Sequence, residues 1–378
     1  MGTNPTVLLK DDDRHRIATG IKKFHDAGYY GERVTAASGE SWAISEYNPS
    51  DLVYDPLGLS GDPGGDRHSI NTASTFFQVA PKAKLYMLYS SDGIWRGDGT
   101  YESRFLEKST KVIEEVGITN MFVSLNFGSS NANFFTDLAA WMNKNPNFKF
   151  FWAAGNDSTK KSNSIMEIPE IIGVAAYTLM VDGTMNPAYY SSLSENVDFS
   201  APSMIYTNIN ATKSTDSGSP NSGTSFSTPW LCGMSCLVDD FFIDKKGAPL
   251  TNAGMTQFFK DHCIDLRDPG FDNKTGWGAV VLPDPSEIDV DKYFTIGRET
   301  VPVEPDEPTP DTDDGGNTAM LDKFDDKDKV SSWAKEAVEW ALEKNILQGT
   351  SPTTITPDGM VTREMMCVFL KRLYDIIK

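Results

Sequence analysis

Short runs of apolar residues, separated by polar and glycine-containing turns, occur through the first part of the chain. Phe150–Ala154 and Ile171–Ala176 are uninterrupted apolar runs, which is typical of parallel strands that are buried on both faces. Gly155 permits a sharp turn directly after the first of them. A mostly apolar run, Leu231–Leu237, follows the turn at Gly223 and predicts a helix that begins at this turn.

The pattern changes in the last fifth of the chain. From residue 299 to residue 317 the chain contains four prolines, seven acidic residues and no basic residue. This composition predicts an extended, self-repelling linker. We therefore divide the chain into a first domain of residues 1–296, an acidic linker of residues 297–318 and a C-terminal domain of residues 319–378.

The C-terminal domain is predicted to contain two helices. Apolar residues recur at helical spacing over Trp333–Leu342, and Asn345–Gly349 has the composition of a helix C-cap and turn. Thr362 is placed to cap an apolar helix that runs through Phe369 and Leu373. The spacing therefore predicts a small all-α module.

The composition is that of a large acidic protein with a sizeable core. Of 378 residues, 34 are Lys or Arg and 53 are Asp or Glu, which gives a net charge of −19. This charge disfavours binding to nucleic acid and to anionic membranes. No apolar run approaches the roughly 18 residues of a membrane span, and the N-terminus lacks the pattern of a signal peptide. The four cysteines are too few and too scattered for a disulfide framework.

The candidate chemistry centres on Gly223–Pro229, which reads Gly-Thr-Ser-Phe-Ser-Thr-Pro. Ser225 lies at the turn that opens the predicted helix. Its backbone N–H therefore lies at the positive end of the helix dipole, where an oxyanion can be held. The segment closely resembles the nucleophile segment of subtilisin-like (S8) serine proteases, which implies that Ser225 is the nucleophile. The alternative is a Ser/Thr-rich helix N-cap without catalytic function.

Asn156 follows the predicted strand Phe150–Ala154 and Gly155. An amide at the carboxyl end of such a strand lies where ligands bind in doubly wound sheets. The segment resembles the strand and turn that end in the oxyanion-hole asparagine of the same protease family. The alternative is a turn-forming asparagine, which the pair Asn156-Asp157 favours by itself.

His68 is the candidate general base among four histidines. An imidazole with a pKa near neutrality suits the proton transfer from a serine hydroxyl. The resemblance places the base of the family shortly before a Val-Ala-Pro segment, which here is Val79–Pro81. His15, His25 and His262 lie among charged residues and are predicted to be solvated. The alternative for His68 is a surface histidine after a glycine-rich loop.

The residues after His68 depart from the family. The usual His-Gly-Thr-His is replaced by His68-Ser-Ile-Asn71, and the stretch from His68 to Pro81 is short. In the family this stretch carries an inserted loop with ligands for a tight calcium site. We therefore expect that site to be absent and predict no catalytic metal and no certain cofactor. A structural calcium ion elsewhere stays open.

Two alignments with the family place different residues at the position of the acid in the Ser-His-acid catalytic triad. Gly28–Gly31 matches a family segment that precedes the acid, and counting on without gaps places Glu40 there. Aligning Ser38-Gly39 with the family's Asp-Ser-Gly places Ala37 there instead. We prefer Glu40, since a carboxylate orients the imidazole and stabilises the imidazolium; a solvated loop glutamate is the alternative. Glu46 and Asp51 are outside candidates.

Further matches extend the resemblance over about residues 18–285. Asn120–Leu125, for example, resembles the strand that pairs with the substrate backbone. The resemblance implies an α/β fold, with a subtilisin-like doubly wound, mostly parallel sheet and helices on both faces. It also implies a set of substrate-binding residues: Ser124, Leu125, Asn126, Ala153, Ala154 and Gly155.

The C-terminal module closely resembles one S-layer homology (SLH) motif, with Phe324-Asp-Asp, Trp333-Ala, the Gly349 turn and Thr362-Arg-Glu. Modules of this family bind secondary polymers of Gram-positive-type cell walls. The resemblance places Trp333, Gly349 and Arg363 near the anionic glycan, where a guanidinium pairs with a charged sugar substituent. Family members commonly carry three motifs, whereas this chain has one. The alternative is a generic helical interaction domain.

These observations predict a serine endopeptidase that is tethered to a cell envelope, located there or outside the cell, and acts on proteins or peptides. Three alternatives stay open. The first is a catalytically impaired pseudoprotease that binds a peptide or a partner protein, favoured by Glu40, by the altered residues after His68 and by Asn126-Phe127. The second is a wall-binding protein of a phage or mobile element. The third is a cytoplasmic, intracellular-type subtilase with a helical interaction module.

Overall fold

The computed structural model describes residues 13–39, 53–54, 67–88, 109–124, 132–159, 164–207, 220–267, 269–298, 320–331, 334–351, 353–357 and 363–377. The chain divides into two compact units, residues 1–301 and residues 302–378.

A single sheet of ten strands forms the centre of the first unit within the described residues. The strands are β1 (Thr35–Ser38), β2 (Val53–Tyr54), β3 (Lys84–Met87), β4 (Asn120–Val123), β5 (Lys149–Ala153), β6 (Ile171–Leu179), β7 (Met185–Pro187), β8 (Phe199–Ser203), β9 (Cys263–Ile264) and β10 (Ala279–Val280). Their order is β2-β3-β1-β4-β5-β6-β8-β10-β9, and β7 pairs with β6. The pairs of β9 with β10 and of β7 with β6 are antiparallel, and the others are parallel.

Eight helices are described in the first unit, two before β1 and the others between or after the strands. They are α1 (Asp13–Ala18), α2 (Ile21–Asp26), α3 (Arg67–Val79), α4 (Thr110–Val116), α5 (Ala132–Lys144), α6 (Thr224–Lys246), α7 (Asn252–Asp261) and α8 (Val290–Phe294). The predicted strands over residues 150–154 and 171–176 correspond to β5 and β6, and the predicted helix after Gly223 corresponds to α6. None of the helices in the described part of the chain is long and apolar enough to cross a membrane.

Helices cover both faces of the sheet, as predicted. Successive side chains of a strand point to opposite faces, so Phe151 joins one core cluster while Phe150 and Trp152 join the other. The first cluster contains Phe76 of α3 and most of the apolar residues of α6. The second contains Phe134 of α5. The central strands are therefore buried on both sides, which explains the uninterrupted apolar runs over residues 150–154 and 171–176.

The helix α6 contains two buried aspartates in its second half. Asp240 is fully buried and accepts hydrogen bonds from the backbone N–H groups of Tyr30, Gly31 and Arg33 at 3.1, 2.9 and 3.3 Å. The guanidinium of Arg33 donates a further bond at 2.9 Å. These bonds fix the turn that leads into β1, the strand after which Glu40 follows in the sequence.

Asp239 lies beside the starts of two central strands. Its carboxylate is 2.7 Å from Nζ of Lys149, and both side chains are fully buried. It also accepts bonds from Nδ2 of Asn120 at 2.7 Å and from the N–H of Leu250 at 3.0 Å. Burial raises the pKa of Asp239, while the ammonium of Lys149 opposes this shift. The pair therefore ties α6 to the amino ends of β4 and β5.

One prediction about the histidines is wrong. His15 is only 6% exposed, and its ring lies 5.8 Å from the ring of Trp230 on α6. His25 and His262 are half-buried, and their rings bond the carbonyl oxygens of Val79 and Phe258 at 2.8 Å. Charged neighbours in the sequence do not reveal which side of a short helix packs on the core. Burial lowers the pKa of His25.

The second unit is a small module of helices and turns, which agrees with the predicted all-α module. Its elements are two 3-10 turns, Met320–Lys323 and Lys327–Lys329, and the helices α9 (Lys335–Glu343) and α10 (Arg363–Ile377). Asp326 connects the beginning of the module to the loop before α10, because it accepts bonds from the N–H groups of Ile355 and Thr356, each at 2.8 Å. Its small core is formed by Leu321, Val330, Leu342 and Ile355.

We expect Asp239→Ala to destabilise the first unit by about 3–5 kcal/mol, because the substitution leaves the ammonium of Lys149 buried without its partner. Adding Lys149→Met should recover part of this loss, since it removes the stranded charge. Urea denaturation followed by circular dichroism measures both effects.

The matched control for this experiment is an exposed ion pair. Asp26 lies 2.6 Å from Lys22 with a side chain that is 64% exposed, so Asp26→Ala should cost less than about 1 kcal/mol. Equal losses for Asp239→Ala and Asp26→Ala would contradict a structural role of the buried pair.

Candidate active site

Ser225 is the second residue of α6 and is 9% exposed. The helix is 23 residues long and begins after Gly223, whose φ of 136° is accessible to glycine and strained for other residues. In the first turn of a helix the backbone N–H groups have no helical carbonyl to bond, and the helix dipole favours negative charge there. The hydroxyl of Ser225 donates to the carbonyl oxygen of Ser124 at 2.8 Å. Ser225 therefore lies at the carboxyl end of β4.

Asn156 lies at the carboxyl end of the neighbouring strand β5 and is exposed. Its Oδ1 accepts bonds from the N–H of Thr224 at 2.9 Å and from Oγ1 of Thr224 at 3.2 Å. Since a backbone N–H can only donate, the amide oxygen must face Thr224, and the amino group Nδ2 faces the opposite way. Asn156 thus has a fixed orientation next to Ser225.

Thr224 also holds the turn before Asn156. Oγ1 of Thr224 accepts a bond from the N–H of Gly155 at 3.2 Å. Gly155 has a φ of 100°, and a Cβ added there would lie 2.9 Å from Oγ of Ser192, so only glycine fits. Oγ of Ser192 in turn accepts a bond from the N–H of Asp157 at 3.1 Å.

Tyr190 supports the turn at Gly223. Its hydroxyl accepts a bond from the N–H of Gly223 at 3.1 Å and lies 2.5 Å from Oγ of Ser203. Burial raises the pKa of Tyr190, and the bonds to Ser203 and Gly223 oppose this shift. The sequence predicted no role for Thr224 or Tyr190. Thr224 could have been suspected from its place beside Ser225, but Tyr190 lies 33 residues before Gly223 and leaves no local signal.

His68 is the second residue of α3 and is half-buried. Its ring centroid lies 5.9 Å from that of Phe226, the residue after Ser225. The helices α3 and α6 pack closely, because a Cβ added to Gly233 would lie only 2.7 Å from Cβ of Val79. His68 and Ser225 therefore lie at the amino ends of two packed helices. The helix α3 runs without interruption from Arg67 to Val79, and the calcium prediction stays a prediction.

The other predicted site residues divide into two groups. Ala153, Ala154 and Gly155 are described and buried, and their part in substrate binding stays a prediction. A Cβ at Gly349 would lie 2.5 Å from the ring of Phe324, so this glycine is required by packing. The remaining predicted residues lie outside the described residues, except that the backbone of Arg363 is described: Glu40, Leu125, Asn126, Trp333, the outside candidates Glu46 and Asp51, and the Arg363 side chain.

The sequence profile of the subtilase family, peptidase family S8, matches residues 64–278, which is more than half of the chain. The chain belongs to the subtilase family. The resemblance to subtilisin-like serine proteases is thereby confirmed. A second profile, that of the S-layer homology domain, matches residues 323–365. The subtilase domain is therefore followed by an SLH domain.

Known proteases resemble this subtilase in sequence and in fold. A thermostable alkaline protease of Halalkalibacterium halodurans is 28% identical over 203 residues, 53% of this chain and 51% of that protein. The chain thus spans about half the length of this relative. A lanthipeptide protease superposes with a TM-score of 0.54 at 16% identity over 74% of this chain and 95% of its own. A psychrophilic subtilisin-like protease of an Antarctic Pseudoalteromonas superposes with a TM-score of 0.54 at 13% identity, over 71% and 95% of the two chains. These superpositions confirm the fold class.

We expect Thr224→Val in this subtilase to lower the rate at which Ser225 reacts with a fluorophosphonate probe by roughly tenfold. The substitution keeps the side-chain volume but removes the acceptor for Gly155 N–H and one donor to Asn156, and a lost hydrogen bond near the reacting atoms costs about 1–3 kcal/mol. The rate is followed by mass spectrometry of the labelled chain. Thr224→Ser keeps both bonds and should react at nearly the wild-type rate. A fast Thr224→Val variant would mean that Thr224 does not position the turn.

Proposed function

We propose that this subtilase is a serine endopeptidase held at a cell envelope by its SLH domain. Ser225 is the nucleophile, and His68 is the general base and later the general acid. Glu40 orients His68. Asn156 and the N–H of Ser225 bind the oxyanion. Proteins or peptides are the substrates.

The observation that carries this proposal is the fixed orientation of Asn156. Its amide oxygen is held by Thr224, the neighbour of Ser225, at 2.9 and 3.2 Å. The opposite end of the amide is then a donor whose position is set before a substrate arrives. A pre-oriented donor stabilises the charge that develops in the transition state without any cost of reorganisation. A turn-forming asparagine would not need this second anchor on the nucleophile helix.

The proposed reaction begins when the Ser225 hydroxyl leaves the carbonyl oxygen of Ser124 and passes its proton to His68. Oγ of Ser225 forms a bond to the carbonyl carbon of the scissile peptide, and the carbonyl oxygen becomes an oxyanion near Asn156 and the Ser225 N–H. His68 then gives the proton to the leaving amine as the C–N bond breaks. Water completes the hydrolysis of the resulting ester, again with His68 as the base.

The envelope attachment rests on the SLH match over residues 323–365. Arg363 begins α10, and a planar guanidinium can bind an anionic sugar group through two parallel hydrogen bonds. We propose that Trp333 and Arg363 contact a secondary polymer of a Gram-positive-type wall, next to the turn at Gly349. The wall polymer and the peptide substrate are then bound by different units of the chain.

The nucleophile is tested with a fluorophosphonate probe, which reacts with activated serines. We expect the probe to attach to Ser225 of the wild type. Ser225→Ala and His68→Ala should each reduce the labelling by orders of magnitude, because either change removes the activated nucleophile. Glu40→Gln should react slowly at neutral pH while the fold survives, since the amide cannot stabilise the imidazolium.

The matched control for the probe is Ser227→Ala, on the same helix and with a hydroxyl that donates to the carbonyl oxygen of Pro202 at 3.2 Å. This variant should label like the wild type. Equal labelling of wild type and Ser225→Ala would contradict the peptidase mechanism. A wild type that is not labelled would instead favour the pseudoprotease. A fully active Glu40→Gln would move the acid to another residue.

The envelope assignment is tested by sedimentation of the full chain with purified Gram-positive-type cell walls. We expect the chain to sediment with intact walls but not with walls from which the anionic polymer has been stripped. A chain that ends at Val301 should stay in solution. Arg363→Ala should weaken binding roughly tenfold, the loss expected for one charged hydrogen-bonded pair, whereas Lys335→Ala should change it little. Sedimentation that is independent of residues 302–378 would overturn the tether.

A further inference from the structure

A chain of two side-chain hydrogen bonds connects the helix of His68 to the segment before Ser225. Oγ1 of Thr207 donates to Oδ1 of Asn71 at 2.7 Å. Nδ2 of Asn221 donates to Oγ1 of Thr207 at 2.6 Å. A threonine hydroxyl has one proton, so the donor to Asn71 must be Thr207 and the donor to Thr207 must be Asn221. The two hydrogen bonds therefore run in one direction, from Asn221 through Thr207 to Asn71.

The two residues at the ends of this hydrogen-bond series, Asn71 and Asn221, are held in place by further bonds. Asn71 lies three residues after His68 and is 8% exposed, and its backbone carbonyl accepts a bond from Oγ1 of Thr75 at 2.9 Å. Asn221 lies four residues before Ser225, and its N–H and carbonyl exchange bonds with Ile205 at 2.8 and 2.9 Å. Thr207, between them, is 7% exposed. Because water is largely excluded, these bonds are stronger than exposed ones.

The helices α3 and α6 also pack directly against each other, and one of these contacts lies at the far end of α3. There Val79 packs against Gly233, and His68 is eleven residues away, about 16 Å along a helix. A tilt of α3 by about 5° around Val79 would move His68 by roughly 1.4 Å. A misplacement of about 1 Å between reacting groups can cost roughly a hundredfold in rate. The hydrogen bond of Asn71, three residues from His68, therefore adds a directional constraint to the apolar packing of the two helices, which includes the ring contact of His68 with Phe226 at 5.9 Å.

We infer that Asn71 and Thr207 are positioning residues, which set the distance between the imidazole of His68 and the hydroxyl of Ser225 through Asn221. This inference rests on the proposed function of His68 and Ser225. It also gives a role to Asn71, one of the three residues by which the chain departs from the family's usual His-Gly-Thr-His. Asn71 offers an acceptor to Thr207 that is independent of pH, since a carboxamide does not titrate near neutrality.

The test compares three variants of the full chain in their reaction with the fluorophosphonate probe. The maximal rate of inactivation is separated from the probe concentration at half-maximal rate. Thr207→Val keeps the side-chain volume but breaks both bonds, and we expect the maximal rate to fall roughly tenfold with the half-saturating concentration nearly unchanged. Thr207→Ser keeps the hydroxyl and should restore most of the rate. Thr19→Val is the matched control, since its buried hydroxyl donates at 2.6 Å to the carbonyl oxygen of His15.

A second comparison separates positioning from simple loss of stability. Asn71→Ala and Thr207→Val interrupt the same series of hydrogen bonds, so the double variant should react within about twofold of the slower single variant. Independent losses would multiply instead. Melting temperatures of all variants are measured in parallel, and Thr207→Val should melt close to Thr19→Val.

The outcomes distinguish this inference from the proposed function on which it rests. If the wild type labels at Ser225 and Thr207→Val reacts as fast as Thr19→Val, the inference is wrong and the peptidase mechanism stands. Multiplying losses in the double variant, or a Thr207→Ser variant as slow as Thr207→Val, would also overturn it. A wild type that does not label at Ser225 would overturn the mechanism and the inference together.

Discussion

Almost the whole of α6 is buried, and a buried helix needs a partner for each polar side chain that it carries. The two aspartates in its second half meet this constraint with backbone N–H groups, Lys149 and Arg33. Thr224 at its beginning meets it with Gly155 and Asn156. The helix thereby holds the amino ends of the central strands at one end and the loops after their carboxyl ends at the other. The position of Ser225 follows from both sets of bonds.

The candidate site is thus assembled on the few residues that precede and begin α6. Asn221 is linked to α3 through Thr207, Gly223 to Tyr190, and Thr224 to the loop after β5. Each partner comes from a different part of the chain. The bonds are uncharged, so they fix directions without adding a net charge that would compete with the imidazolium or the oxyanion. This segment acts as the common support of the proposed base, nucleophile and oxyanion donor.

The sequence predicted those parts of the molecule that have a local signature. The strands β5 and β6 were predictable from residues 150–154 and 171–176, because a strand that is covered on both faces is mostly apolar. The beginning of α6 was predictable because Gly223 and Ser225 lie in one short motif. The burial of His15 was not, since its charged neighbours hide the contact with Trp230. Thr207 and Asn71 are 136 residues apart, and no local pattern reveals such a pair.

The bonds of Asp240 have a consequence for the order in which the protein can fold. Tyr30 and Gly31 precede their acceptor by 210 and 209 residues. At a synthesis rate of about 5–20 residues per second, the turn before β1 waits roughly 10–40 s on the ribosome before Asp240 has been made. During this time the apolar strands β1, β4 and β5 lack the helix that covers them. Contacts between such distant residues also slow folding, so the newly made chain is expected to depend on chaperones more than a protein with local contacts would.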